Sequence, residues 1–342
     1  MSGTFDLEKL HPLTLTLLEK RGVKGEDVED FLNPSYEKHI GNPFDIHGVP
    51  AAVERIVSAI KNGETICVYS DYDCDGIPGG VLLREFFDGI GYPVEIYVPH
   101  RHNEGYGVHV HAVDLLKEKG VSLIITVDLA ITNIEEIAYA KSVGVDFIVT
   151  DHHLPINGEK GQVVPDAVAV INSKQNVCNY HDDMLCGCAV AWKLACAVLA
   201  RLRYEKVNEK VNATVDSLPD GWEKWMLDLV GISTIADMVP LQKENRALAH
   251  YGLRVLRKTK RPGLLHIFNE QRMRKEYLTE DDIAFTIAPR INAAGRMGAP
   301  IQAHHMLYEK NPKLAEGFAR DLELLNTERK AGVKDIISTL QF

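Results

Sequence analysis

Short apolar runs alternate with longer amphipathic stretches between about residue 46 and residue 172. The runs are "TICVYS", "VEIYV", "SLIITV", "DFIVT" and "AVAVIN", and segments of about ten or more residues with helical periodicity separate most of them. This alternation is typical of βαβ units, whose parallel strands are buried on both faces. We therefore predict an α/β fold with a parallel sheet and helices on both faces.

The remaining stretches predict helices. Residues 1–45 form an N-terminal helical segment with one helix in "LHPLTLTLLEKRG" and a second in "KGEDVEDFLNP". One domain follows over 46–311, in which 46–175 is the parallel α/β part and 176–311 is mostly helical. Apolar positions at helical spacing over 312–342 predict a single long connector helix.

Acidic and imidazole side chains follow three of the predicted strands. They are Asp71, Asp73 and Asp75 after the first strand, Asp128 after the third, and Asp151, His152 and His153 after the fourth. A single aspartate at a strand end is usually a helix cap or a structural hydrogen-bonding group. Parallel strands, however, bring their carboxyl ends to one edge of the sheet, where ligands bind. Three such strand ends therefore predict one shared site.

Carboxylates held this close together repel each other, and a divalent cation relieves the repulsion. A mixed set of carboxylate and imidazole ligands favours Mn²⁺, with Mg²⁺ as the second candidate. Two such ions about 3.5–4 Å apart are the usual arrangement for phosphoryl hydrolysis. We expect two Mn²⁺ ions at this edge of the sheet.

Composition says more about the cellular location of the protein than about the reaction it catalyses. The chain has 342 residues and a formal net charge of −10, which argues weakly against a large non-specific nucleic-acid face but allows a local basic groove. Its six cysteines lack the spacing of a disulfide framework or of paired zinc ligands. No apolar run is long enough to span a membrane. We predict a cytoplasmic protein without membrane contact.

Several segments together resemble a known family. "DYDCDG" (71–76), "DHH" (151–153) and "STIADMVPL" (233–241), with Asp128, resemble the motifs of the DHH phosphoesterase superfamily. "PHRHNEGYG", "LCGCAVAWKLA", "VPLQKENRALAHYGL" and "APRINAAGRMGAP" resemble the RecJ family of single-strand-specific 5′→3′ exonucleases. The resemblance covers about residues 8–335. It implies a DHH catalytic domain over 46–311, present as a catalytic core without the usual second DHH-associated domain and OB-fold.

The resemblance also assigns roles to individual residues. The implied metal ligands are Asp73, Asp75, Asp128, His152 and Asp237. Asp128 matches the acid that bridges two metals and is, with His153, an implied catalytic residue. His153 would face the scissile phosphate, whereas Asp71 and Asp151 would support the loop and orient a histidine.

Several positions depart from the family pattern, among them Ser70 and Pro78. Tyr69 stands where some members of the superfamily have a metal-binding histidine, and a neutral phenol is a poor ligand. Leu129 and Ala130 follow Asp128 where Cys-Gly is common. The departure at Tyr69 predicts a metal with fewer protein ligands.

Five residues are predicted to contact nucleic acid. Arg290, Asn292 and Arg296 lie among small residues that would let a phosphate approach closely. Arg101 is a second candidate for phosphate, and Tyr106 for stacking on a base.

The resemblance implies a metal-dependent exonuclease that hydrolyses single-stranded DNA from the 5′ end to 5′-mononucleotides, in DNA repair and recombination. Single-stranded DNA is the expected partner, and single-stranded-DNA-binding protein, a helicase or replication proteins are further candidates. Two alternatives stay open. One is a small-substrate phosphoesterase that acts on short oligonucleotides, nucleoside bisphosphate or pyrophosphate. The other is a replication-associated scaffold with weak catalysis.

Overall fold

A five-stranded parallel sheet organises the first half of the molecule. The computed structural model describes residues 10–25, 27–159 and 161–340. The strands are β1 (Thr65–Ser70), β2 (Glu95–Tyr97), β3 (Val121–Val127), β4 (Asp146–Thr150) and β7 (Ala169–Ile171), in the order β2-β1-β3-β4-β7. Two three-residue strands, β5 (Ile156–Gly158) and β6 (Gly161–Val163), form a separate antiparallel hairpin.

Helices cover both faces of this sheet. The N-terminal helices are α1 (Pro12–Lys20), α2 (Asp27–Leu32) and α3 (Tyr36–His39). On one face of the sheet lie α4 (Val49–Asn62), α5 (Gly76–Gly89) and α8 (Gly187–Tyr204), and on the other lie α6 (Val110–Glu118) and α7 (Ile134–Ser142). Alternate residues of each strand enter the two resulting cores: Val68 packs with the first group and Tyr69 with the second.

The second half is helical. Its helices are α9 (Glu209–Ser217), α10 (Leu227–Ala236), α11 (Lys243–Leu256), α12 (Pro262–Glu270), α13 (Glu280–Asp282), α14 (Ala288–Arg296), α15 (Pro300–Tyr308) and α16 (Pro312–Leu340). A short π-helix, Ile283–Ile287, leads directly into α14. The first half of helix α16 packs on α12, α14 and α15 and joins the same core, whereas residues 330–339 are exposed.

The predicted fold class is confirmed, with two local differences. The sequence pattern after the first strand predicts a helix that begins near Pro78, whereas helix α5 begins at Gly76. The β5–β6 hairpin was not expected, because its three-residue strands are too short to show a periodicity. Residues 1–9 of the predicted N-terminal segment and 341–342 of the predicted connector helix lie outside the described residues. The domain division stays a prediction. No helix in the described part of the chain is long and apolar enough to cross a membrane.

Candidate metal centre

Three strand ends converge because the backbone ladder continues past them. The amide of Asp71 donates to the carbonyl of Val127 (3.0 Å), and the amide of Asp128 donates to the carbonyl of Thr150 (2.9 Å). In the same way, the amide of Asp151 donates to the carbonyl of Ile171 (3.1 Å). Each acidic residue is therefore tied to the end of the next strand, and all three strand ends lie at one edge of the sheet.

His152 lies at the centre of the carboxylates. Its Nε2 atom is 3.1 Å from Asp128 Oδ1, 3.6 Å from Asp75 Oδ2 and 3.7 Å from Asp237 Oδ2. Asp71, Asp73 and Asp128 form a second close group, with carboxylate oxygens within 4.8 Å of one another. We refer to the whole set as the carboxylate–histidine cluster: Asp71, Asp73, Asp75, Asp128, His152 and Asp237.

The N-terminus of helix α8 holds Asp75. The amides of Gly187 and Cys188 donate to its two carboxylate oxygens, at 2.6 and 2.8 Å. Amides at a helix N-terminus have no acceptor inside the helix and carry partial positive charge, so they suit a buried carboxylate. A Cβ atom at Gly187 would come within 2.6 Å of Asp128 Cβ, and only glycine allows this close approach. The helix thus positions Asp75 against Asp128.

The loop that carries Asp73 is fixed from both halves of the molecule. Asp73 Oδ1 accepts the amides of Asp75 and Gly76 at 2.8 and 3.0 Å. The amide of Cys74 donates to Asn292 Oδ1 (2.9 Å), while the Ser233 hydroxyl donates to the Cys74 carbonyl (3.2 Å). Asn292 therefore holds the acidic loop, in addition to lining the site.

His153 is oriented by Asp151 and faces the cavity. Asp151 Oδ1 lies 2.8 Å from His153 Nδ1, and the Asp151 carboxylate also accepts the amides of Ile131, His152 and His153. This arrangement leaves Nε2 of His153 available to a substrate. The hydrogen bond that His153 Nδ1 donates to Asp151 raises the pKa of the His153 imidazole. Burial works to raise the pKa of Asp151, but the hydrogen bond with His153 and the charge of that ring outweigh it and lower that pKa.

The carboxylates of the cluster are hard to ionise together. Burial, and then the charge of Asp73, raises the pKa of Asp71 to about 8. Burial, and then the charges of Asp75 and Asp73, raises the pKa of Asp237 to about 7. The pKa of Asp128 lies well above its ordinary value because the side chain is buried beside Asp75, Asp73 and Asp71. A cation in the cluster would relieve this repulsion.

The residues fit divalent metal ions. His152 Nε2 and Asp128 Oδ1 are buried and make no hydrogen bond, and the same is true of Asp71 Oδ1. Buried polar atoms normally have a partner. His152 Nε2 lies 3.1 Å from Asp128 Oδ1, and the Asp71 carboxylate belongs to the same close group as Asp128. Asp128 also has a left-handed backbone, with φ +63°. Strained residues of this kind collect at functional sites.

A cavity of about 310 Å³ opens beside the cluster. It is lined by Asp71, Tyr72, Asp73, Arg101, Tyr106, Asp128, His153, Asp237, Asn292 and Arg296. The guanidinium of Arg101 lies 5.0 Å from the centre of the Tyr72 ring. Neither Arg101 nor Arg296 forms an ion pair within the described residues. The hydroxyl of Tyr106 donates to the Asp128 carbonyl and lies 3.1 Å from His153 Nδ1. The Tyr106 side chain is partly exposed.

Arg290 requires a correction. The sequence placed it beside the phosphate, but its guanidinium is buried, pairs with Glu323 of α16 at 2.5 Å and donates to the Thr286 carbonyl at 2.7 Å. It does not line the cavity. Arg290 joins α14 to α16, so we do not retain it as a nucleic-acid contact.

Tyr69 is turned away from the cluster. Its buried ring stacks beside Tyr97, with centroids 4.8 Å apart, and its hydroxyl donates to the Gly107 carbonyl at 3.1 Å. It supports the loop that carries Tyr106. The phenol thus replaces a possible ligand by a packing residue.

Sequence reasoning missed the groups that hold the ligands. Gly187 and Cys188 act through backbone amides, which every residue type except proline has, so only the missing Cβ atom of Gly187 leaves a signal in the sequence. Ser233 lies in the "STIADMVPL" segment, but nothing in its spacing from Asp237 shows that its hydroxyl would reach Cys74.

Comparison with known proteins places this geometry in a family. Residues 65–218 match the model of the DHH family, N-terminal domain. The chain is 37% identical over 325 residues to the single-stranded-DNA-specific exonuclease RecJ of Bacillus subtilis, and 33% identical over 330 residues to that of Haemophilus influenzae. These alignments cover 94% and 95% of this chain but 38% and 54% of the relatives. The chain therefore spans about two fifths to half of the length of these curated relatives.

A solved structure agrees more completely. The crystal structure of an exonuclease RecJ bound to manganese superimposes with a TM-score of 0.74 at 30% identity, over 86% of this chain and 69% of that one. The two chains thus have related sequences and the same arrangement of sheet and helices over most of their length. This chain belongs to the RecJ family of DHH proteins.

Proposed function

We propose that this chain is a metal-dependent exonuclease that degrades single-stranded DNA from the 5′ end to 5′-mononucleotides. The observation that carries the proposal is the carboxylate–histidine cluster, which lies open to a cavity that also contains two guanidinium groups without an ion pair among the described residues. A role in DNA repair and recombination, beside a single-stranded-DNA-binding protein or a helicase, would follow from this activity.

The cluster suits two Mn²⁺ ions, with Mg²⁺ as a weaker alternative. We assign Asp73, Asp75, Asp128, His152 and Asp237 as the ligands, and Asp128 as the group shared by both ions, because it lies between the other carboxylates and His152. Bound ions of this kind polarise phosphate oxygens and lower the pKa of an attacking water.

The chain's own residues bind and orient the substrate. Arg101 and Arg296 supply guanidinium groups for phosphate oxygens, and the Tyr106 ring offers a partly exposed face for the terminal base. His153 keeps its proton to higher pH than a free histidine because Asp151 holds it, so Nε2 can donate a hydrogen bond to a phosphate oxygen or to the departing 3′-oxygen. Asp71 supports the acidic loop.

The cavity size favours a single strand. A volume of about 310 Å³ accommodates roughly one nucleotide, whereas a DNA duplex cannot place its backbone at the floor of such a cavity without unpairing. A terminal phosphate held by the arginines would distinguish a 5′-phosphorylated end from a 5′-hydroxyl end by about 10- to 150-fold.

A substrate panel tests the proposal. Single strands with a 5′-phosphate, a 5′-hydroxyl or a blocked 5′ end would be compared with blunt duplex, a dinucleotide and pyrophosphate, all with Mn²⁺. We expect mononucleotides released from the 5′ end of single strands. Degradation from the 3′ end, or duplex cut as fast as single strand, would contradict the proposal. Consumption of pyrophosphate or the dinucleotide alone would favour the small-substrate alternative. If no substrate of the panel were hydrolysed, the scaffold alternative would be favoured.

A further inference from the structure

The cavity has two walls that come from distant parts of the chain. One wall is the 99–107 loop after β2, which carries Arg101 and Tyr106. The other is the C-terminal end of α14, which carries Asn292 and Arg296. The two arginines can hold one phosphate only if the distance between these walls is fixed.

A single hydrogen bond in the described residues joins the 99–107 loop to α14. His102 Nε2 lies 2.9 Å from the carbonyl oxygen of Arg296. A carbonyl can only accept, so Nε2 carries the proton and donates. The last carbonyls of a helix have no donor within the helix, and a histidine is well suited to supply one there. His102 thus caps α14 from the opposite wall of the cavity.

The turn after α14 packs against the same loop. Gly298 has φ +77°, and a Cβ atom there would lie 3.1 Å from His100 Nε2 and 3.5 Å from His102 Cδ2. The rings of His100 and His102 therefore occupy the space beside the Gly298 Cα atom. A residue with a Cβ atom would be strained by the positive φ and would crowd these two rings, and so disturb the 99–107 loop.

The loop is well held on its own side. Glu104 accepts the His100 amide and the Tyr97 hydroxyl, both at 2.5 Å, and Tyr106 donates to the Asp128 carbonyl. Arg101 therefore has a defined position relative to the carboxylate–histidine cluster. Asn292 ties the middle of α14 to the acidic loop through Cys74, and the contacts of His102 and Gly298 hold its C-terminal end, where Arg296 lies, against the 99–107 loop.

We propose that His102 is a positioning residue that joins the two walls and so sets the separation of Arg101 and Arg296 around the terminal phosphate of a single strand. This inference rests on the proposed function. His102 touches neither the metal ligands nor the cavity floor, so it acts on recognition of the strand end rather than on the chemical step.

Steady-state kinetics on 5′-phosphorylated and 5′-hydroxyl single strands test this role. His102→Ala should raise KM for the 5′-phosphorylated strand about 3- to 10-fold, since one solvent-exposed hydrogen bond is lost. The kcat and the KM for the 5′-hydroxyl strand should stay unchanged. His102→Gln should restore most of the difference, because its amide can donate to the same carbonyl. Gly298→Ala should reproduce the His102→Ala result by displacing the loop.

The matched control is His47→Ala, which removes an exposed histidine that does not line the cavity. The proposal would be overturned if the ratio of KM for the 5′-hydroxyl strand to KM for the 5′-phosphorylated strand were the same in wild type and His102→Ala. It would also be overturned if His102→Gln were as impaired as His102→Ala. Hydrogen–deuterium exchange of residues 99–107 and 293–298 gives a second result that needs no activity. Exchange should rise in His102→Ala but not in His47→Ala. If wild type degrades no DNA, the proposed function fails, and the exchange result still decides whether His102 joins the walls.

Discussion

Two buried charged clusters lie along helix α5 and differ in how their charges are balanced. The carboxylate–histidine cluster lies at the start of the helix, next to Asp75. The second cluster, which we call the ion-pair cluster, lies about 15 Å further along, where Glu85 faces the helical half. It consists of Glu85, Asp228 and Arg261, with the exposed Lys310 at its edge.

The ion-pair cluster is balanced internally. The guanidinium of Arg261 donates to both oxygens of Glu85 and both oxygens of Asp228, at 2.7–3.1 Å. Lys310 pairs with Glu85 as a second cation. Burial works to raise the pKa of Glu85, but Arg261 and Lys310 outweigh it and lower that pKa. Two acids face two bases, and the charges need nothing from outside the chain.

The carboxylate–histidine cluster lacks such partners. Its five aspartates face one imidazole within the cluster, and the pKa of Asp71, of Asp128 and of Asp237 is raised, first by burial and then by neighbouring carboxylates. An arrangement of this kind lowers the stability of the metal-free protein. The comparison indicates that buried charges which pair with each other, as in the ion-pair cluster, have a structural role. Buried like charges without such partners, as in the carboxylate–histidine cluster, indicate a site for a cation.

The largest expected effect separates activity from stability at the metal centre. Asp128→Asn should lower the rate of DNA hydrolysis by about 10³-fold or more, because it removes the carboxylate assigned to both ions. Asparagine accepts the left-handed backbone at this position, and the loss of a crowded charge should leave the metal-free protein at least as stable. Nuclease assays and denaturant unfolding in EDTA check both expectations. A variant with a tenth of wild-type activity would contradict the bridging role.

The ion-pair cluster should respond in the opposite way. Asp228→Ala should lower the free energy of unfolding by about 3–5 kcal/mol, because it leaves the buried Arg261 guanidinium with one of its two carboxylate partners. The protein that remains folded should keep its activity. Denaturant unfolding, paired with a nuclease assay at low temperature, measures the two quantities. A stable but inactive Asp228→Ala protein would remove the distinction between the clusters.

The pH dependence of stability should reveal the unbalanced charges. The folded protein binds protons at Asp71 and Asp237 more tightly than the unfolded chain does, with pKa values of about 8 and about 7 against an ordinary value of 3.8. Metal-free protein should therefore lose stability as the pH rises from about 4 to about 8. Mn²⁺ replaces these protons, so the increase in Tm on adding Mn²⁺ should be larger at pH 8.5 than at pH 6. Equal increases at both pH values would contradict the assignment.

The smallest effect concerns the turn after Asp128. Ala130 has φ +92°, a conformation that costs a residue with a Cβ atom free energy. Ala130→Gly should raise the free energy of unfolding by about 1 kcal/mol, even after the extra entropy of glycine is counted. Ala213→Gly, in the exposed middle of α9, is the matched control and should lower it by about 1 kcal/mol. A loss of stability in both variants would show that the Ala130 conformation is not strained.

The sequence predicted the elements that local pattern determines. Apolar runs located the sheet, and the aspartates after β1, β3 and β4 could be grouped because parallel strands share one carboxyl edge. The position of Arg290 could not be predicted, because its burial depends on Glu323, which lies thirty-three residues later on another helix. The amides that hold Asp75 were equally out of reach, since every residue type except proline has a backbone donor.

Direct titration with Mn²⁺ tests the central claim, that the carboxylate–histidine cluster is balanced by metal ions and the ion-pair cluster is not. Isothermal calorimetry on wild type, Asp128→Asn and Asp228→Asn at pH 8 gives the number of ions and their affinities. We expect two Mn²⁺ per chain in wild type and in Asp228→Asn, with both sites weakened or lost in Asp128→Asn. Wild-type protein that binds no Mn²⁺, or Asp128→Asn that binds it as wild type does, would contradict the account.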